Sequence, residues 1–137
     1  MLRRNEKVEL LKRAPLFADC SRGELEQIAQ LADEIDLGEG KELTRLGESG
    51  REFFVLLEGD ADVTKDGRRI NTLGGGDFFG EIALVSDTPR TATVTATSPI
   101  RALVITDRSF RRLLEDVPEI QAKVLSALAA RLAPELV

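Results

Sequence analysis

Histidine, tryptophan and tyrosine are absent from the 137 residues, and cysteine and methionine occur once each. Without histidine, imidazole acid–base catalysis and His-rich metal sites are excluded. Cys20, Ser86, Ser98 and Ser109 have no imidazole to activate them. Paired carboxylates of a glycosidase need a cleft that so small a fold does not offer. The expectation is a chain that is not an enzyme and that needs no metal or cofactor. One cysteine also excludes an intramolecular disulfide and suits a reducing compartment. No apolar run reaches the length of a membrane span. The opening MLRRNEKVELLKRAPLF is too charged for a signal peptide. A cytoplasmic protein is expected.

Positive charge is the minority, with 19 Lys and Arg against 24 Asp and Glu, a net charge of −5. Such a surface does not recruit nucleic acid or an anionic membrane. An anionic ligand would need a local positive feature. Length and a 42% hydrophobic content fit one domain, 1–137, with a core of its own.

Helices are expected at both ends. Residues 5–14 carry Val8 and Leu11 among charges until Pro15 stops the helix. Ser21 and Glu24 form a capping box ahead of Leu25, Ile28, Ala29 and Ala32, and this second helix is expected to run to about Asp33–Asp36. Near the other end, Asp107 is the expected N-cap of a helix bearing Phe110, Leu113, Leu114 and Val117. Pro118 then opens a last helix with Ile120, Val124, Leu128 and Leu132 on one stripe.

Between them lie glycines and short strand patterns. Residues 42–46 are one, and 53–57 (FFVLL) form a continuous apolar run, the mark of a buried strand. Residues 61–65 and 68–73 flank an Asp66-Gly67 hairpin turn. Residues 92–97 alternate strictly, Pro99 interrupts, and 100–105 follow as another strand. The expected fold is mainly β with flanking helices, an antiparallel β-roll or double-stranded jelly roll of about eight strands. The divisions are N-terminal helices over 1–36, the roll over 37–106, and two C-terminal helices over 107–133.

Three familiar motifs fail. Gly74-Gly75-Gly76 has Phe79 where a dinucleotide fingerprint needs its third glycine. Gly40-Lys41 is followed by Glu42 where a phosphate loop needs Ser or Thr. Asp60 and Asp62 are not continued into a calcium loop.

The stretch FGEIALVSDTPR, residues 79–90, is different. If residues 82–85 form a helical turn, the amides at its start face outward at the positive end of a small dipole. Gly80 lets a ligand approach the backbone. Arg90, returned by the Asp87–Pro89 turn, can set a planar donor fork on the same anion. Glu81 would repel that anion, and fits only as an acceptor for a neutral hydroxyl beside it. The bland alternatives are a helix-dipole glutamate, and an arginine that is solvated or paired with Asp87. Phe78 and Phe79 read as core.

These residues resemble the phosphate-binding cassette of cyclic nucleotide-binding domains. That family includes catabolite activator protein, the regulatory subunit of cAMP-dependent protein kinase, cGMP-dependent kinase and cyclic nucleotide-gated channels. Its pattern is F-G-E-[LIM]-A-L, a short turn, then P-R-[AST]-A-[TS]-V. Phe79, Gly80, Glu81, Ile82, Ala83, Leu84, Pro89, Arg90, Thr91, Ala92, Thr93 and Val94 match it. Gly59 also sits where the family has a hairpin glycine, and the resemblance covers nearly the whole chain. It implies that Arg90 and the amides of Ala83 and Thr91 hold a cyclic phosphate. Glu81, with the Gly80 backbone, would take the ribose 2′-hydroxyl, and Ile82 would line the nucleotide.

A threonine at 91 leaves cGMP open, through a guanine amino group in the syn conformer, and family frequency favours cAMP. The resemblance further implies a C-terminal helix that moves over the bound base to signal to an effector, or pairs with a second copy. The chain stops at Val137 with no DNA-binding, kinase or membrane segment, which suits a stand-alone sensor or a regulatory domain of a longer protein. The alternative is a structural or interaction domain that has lost nucleotide binding. Retention of both Glu81 and Arg90 weighs against it.

Overall fold

Ser21 Oγ accepts from the Glu24 amide at 3.2 Å, and Glu24 accepts from the Ser21 amide at 2.8 Å. The capping box expected of these two residues therefore opens its helix. A computed structural model describes residues 3–86 and 88–136. At the N-terminal end, α1 (Arg4–Arg13) leads through a 3-10 turn (Pro15–Phe17) to α2 (Arg22–Leu31). Eight strands follow, interrupted by α3 (Glu81–Ser86), and the chain closes with α4 (Asp107–Asp116) and α5 (Pro118–Leu136).

The strands are β1 (Asp33–Leu37), β2 (Glu42–Thr44), β3 (Glu52–Glu58), β4 (Ala61–Lys65), β5 (Arg68–Leu73), β6 (Phe78–Phe79), β7 (Thr93–Ala96) and β8 (Ile100–Thr106). They form two four-stranded antiparallel sheets, ordered β1-β8-β3-β6 and β2-β7-β4-β5. The fold is the mainly β roll with flanking helices that the pattern of short strands implies.

The apolar run on β3 has a geometric cause. Side chains alternate along a strand. Phe53, Val55 and Leu57 join the cluster under the helices, while Phe54 and Leu56 join the cluster between the sheets. Both faces of β3 are buried, so no polar position remains in its middle. Phe53 stacks on Phe110 of α4 with ring centroids 4.4 Å apart. Each such buried aromatic contributes about 1.5–3 kcal/mol through burial. Ile120 and Val124 of α5 are buried in the same cluster. Leu128 is half-buried, and the side chain of Leu132 lies outside the described residues.

Gly59 turns β3 into β4 with φ +91°, a left-handed value that favours glycine. A Cβ there would also lie 2.4 Å from the Pro99 carbonyl oxygen. Asp66-Gly67 makes the β4–β5 hairpin, both residues at positive φ.

Three boundaries differ from expectation. The second helix ends at Leu31, and Asp33–Leu37 is strand β1, not helix. β1 is an edge strand, and its sequence DEIDL is polar enough to read as a helix end. Asp107 is the first residue of α4 and not its cap: Thr106 Oγ1 accepts from the Ser109 amide at 3.3 Å. Phe78–Phe79, read only as core, is a short strand paired to β3.

Candidate functional site

The segment between β6 and β7 carries the site. Gly80 (φ +99°) turns the chain out of β6 into α3, a conformation that a side chain would strain. Glu81 lies in the first turn of α3 and is fully buried. The helix runs over Glu81–Ser86, somewhat longer than the single turn expected over 82–85. Asp87 lies outside the described residues.

Arg90 is held from all sides. Its side chain is only 6% exposed. Nη1 donates to the Gly80 carbonyl at 3.1 Å, and Nη2 to the Glu52 carbonyl at 2.7 Å. The guanidinium carbon lies 5.8 Å from the centre of the Phe54 ring, within cation–π range. The backbone of Arg90 is clamped as well. Its amide donates to Glu48 at 2.8 Å, and its carbonyl accepts from the Gly47 amide at 2.9 Å. Burial lowers the pKa of the guanidinium, while the charges of Glu52 and Glu81 raise it. Burial has the larger effect, so desolvation of the guanidinium outweighs the two carboxylates. An arginine simply solvated after a proline is excluded by the burial.

Gly80, Glu81, Ile82, Arg90 and Thr91 line one cavity of about 660 Å³. These are five of the six residues singled out from the sequence. Ala83, the sixth, has its backbone in α3, and its side chain lies outside the described residues. Phe79 is buried, stacks on Phe54 at 4.8 Å, and forms part of the cavity wall as well as core.

The sequence did not reveal the rest of the wall. Val63 and Lys65 come from β4, and Ile70, Asn71 and Leu73 from β5. Ala130 of α5 completes it, so the last helix reaches the cavity. Ile70, a large apolar residue in the otherwise polar strand RRINTL, is 58% exposed beside the cavity.

The same helix is tied to the N-terminal end. Lys123 Nζ donates to the Pro15 carbonyl at 2.6 Å and pairs with Asp19 at 3.0 Å. Among the described residues, no group of His, Cys, Asp or Glu could hold a metal ion, and no helix is long and apolar enough to cross a membrane.

Residues 34–117 match the family model described as "Cyclic nucleotide-binding domain". The chain is 36% identical over 115 residues to a cAMP-dependent protein kinase regulatory subunit of Mycosarcoma maydis, covering 77% of this chain and 22% of that protein. It is 33% identical over 128 residues to the cGMP-dependent protein kinase egl-4 of Caenorhabditis briggsae, covering 88% and 17%. The chain thus spans less than a quarter of the length of either relative. Among solved structures it is similar to a cAMP-bound PfPKA-R, with TM-score 0.85 and 28% identity, over 98% of this chain and 48% of that one.

Proposed function

The chain belongs to the cyclic nucleotide-binding domain family, and from that premise we propose that its cavity takes a 3′,5′-cyclic nucleotide, cAMP ahead of cGMP. The observation that carries this is a pair, Glu81 and Arg90, both buried and both on the wall of one cavity. A buried acid and base that served only each other would not need an open wall. Arg90 takes the equatorial phosphate oxygens, which its planar fork suits. The amides of Ala83 and Thr91 take others. Glu81 accepts from the ribose 2′-hydroxyl, with the Gly80 backbone beside it, and Ile82 packs against the sugar. The base lies along Val63, Ile70 and Leu73 with Ala130 of α5 across from it. Thr91 meets its edge.

Binding acts as a regulatory signal, not as catalysis. A ligand that touches both the cassette and α5 shifts the helix between two positions. Lys123 passes that shift to Pro15 and Asp19 at the N-terminal end. The effector is a partner or a further domain that reads the helices. Pairing of two copies along α5, and a cytoplasmic setting, belong to the same proposal. Calorimetry tests it. The parent chain binds cAMP, and Arg90→Ala, still folded by circular dichroism, does not; equal binding by both removes Arg90 from the phosphate.

A further inference from the structure

Glu52 opens β3 directly behind Arg90. Its carbonyl accepts from Nη2 of Arg90, and its carboxylate Oε2 lies 3.9 Å from the same nitrogen. The Glu52 side chain is half exposed and does not line the cavity, so it reaches a ligand only through Arg90. At that separation the carboxylate is a charge neighbour and not a hydrogen-bond partner. The charged side chains on the cavity wall are Lys65, Glu81 and Arg90. They leave the wall with one positive charge in excess, and Glu52 cancels it.

We propose that Glu52 is the resident counter-ion of Arg90, and that it makes the site admit a phosphodiester monoanion while rejecting a phosphomonoester dianion. This rests on the reading of the cavity as a cyclic nucleotide site. A cyclic phosphodiester carries one negative charge. A phosphomonoester has a second pKa of about 6, so 5′-AMP carries nearly two at neutral pH. Hydrogen bonds from Arg90 and backbone amides serve either anion. The repulsion from Glu52 and Glu81 grows with each added charge and acts well inside a Debye length of about 8 Å. Glu81 touches the sugar and cannot be altered without disturbing it. Glu52 can, which makes it the specificity residue whose contribution is separable.

The test replaces the charge and keeps the shape. Affinities of the parent, Glu52→Gln and Glu52→Asp for cAMP and for 5′-AMP are measured by competition against a fluorescent cyclic nucleotide. In Glu52→Gln the affinity for 5′-AMP rises by about three- to tenfold more than the affinity for cAMP. Glu52→Asp stays near the parent, and added salt shrinks the difference. An unchanged ratio between the two ligands overturns the proposal, as does an equal weakening of both, which a merely structural residue would give. If the parent binds no cyclic nucleotide, the functional reading fails first. The ligand-free chain then still judges the pairing, through a denaturation cycle of Glu52→Gln and Arg90→Gln. Coupling of about threefold in the unfolding equilibrium supports the counter-ion, and additive effects overturn it.

Discussion

Gly50 faces Arg90 so closely that a Cβ at residue 50 would fall 1.9 Å from Nε of the guanidinium. Gly80 also approaches it closely: a Cβ there would lie 2.9 Å from Nη1. Two glycines thus leave the slot in which the arginine lies. The backbone carbonyls of Gly80 and Glu52 then fix its direction within that slot.

Gly50→Ala therefore tests whether this slot positions the arginine for binding. Residue 50 does not need a left-handed backbone, so alanine fits the chain, but its Cβ must push the buried, hydrogen-bonded guanidinium of Arg90 out of place. Stability drops by about 1.5–3 kcal/mol, the worth of a hydrogen bond to a charged group. Cyclic nucleotide affinity falls by about tenfold or more, because a misplaced charged fork loses its bidentate geometry. Denaturant unfolding and calorimetry on the same sample read the two effects. Unchanged affinity would mean that the slot does not hold the ligand-binding arginine.

Glu81 is buried and lines the cavity. Glu81→Ala is expected to lose about ten- to a hundredfold in affinity, the range of a hydrogen bond to a charged group. The 2′-deoxy nucleotide should lose a similar factor against the parent and almost nothing further against the variant. A parent that binds the deoxy and ribose forms equally removes Glu81 from the sugar.

Spacing alone left the bland readings of Glu81 and Arg90 open; the match of residues 79–94 to the cassette pattern singled out this site, and such a match is recognisable because its residues are close in sequence. The cassette at 79–94 places Gly80, Glu81, Ile82, Arg90 and Thr91 within a dozen positions, and local backbone geometry brings them together. The hairpin at Asp66-Gly67 and the capping box at Ser21 and Glu24 were readable for the same reason. What escaped is non-local or marginal. The Glu52 carbonyl that holds Arg90 comes from 38 residues away, and no spacing rule reaches it. Strand β1 sits at a sheet edge, and its alternation is only two apolar residues long, Ile35 and Leu37, both only partly buried against the core between the sheets, too short a pattern to read as a strand. Lys123 looks like any surface lysine until the fold brings it to Pro15 and Asp19.

Cys20 supplies a pH test of the N-terminal packing. Burial first, then Glu24 and Glu119, push its thiol up from 9.0 to about 11, with Lys123 pulling the other way. Between those values the folded chain keeps a proton that the unfolded chain has released. Stability conferred by the protonated thiol is complete below about pH 9 and declines as pH rises towards 11. The urea midpoint of the parent, less that of Cys20→Ala, should therefore be flat through neutral pH and fall over that window. A difference that stays constant to pH 11 contradicts the burial of this thiol against its acidic neighbours.

The most direct measurement is a calorimetric titration of the parent chain with cAMP, cGMP and 5′-AMP in turn. Saturable binding at one site per chain is expected, with cAMP tighter than cGMP and 5′-AMP far weaker than either. No heat with any of the three, or 5′-AMP binding as tightly as the cyclic nucleotides, would contradict it.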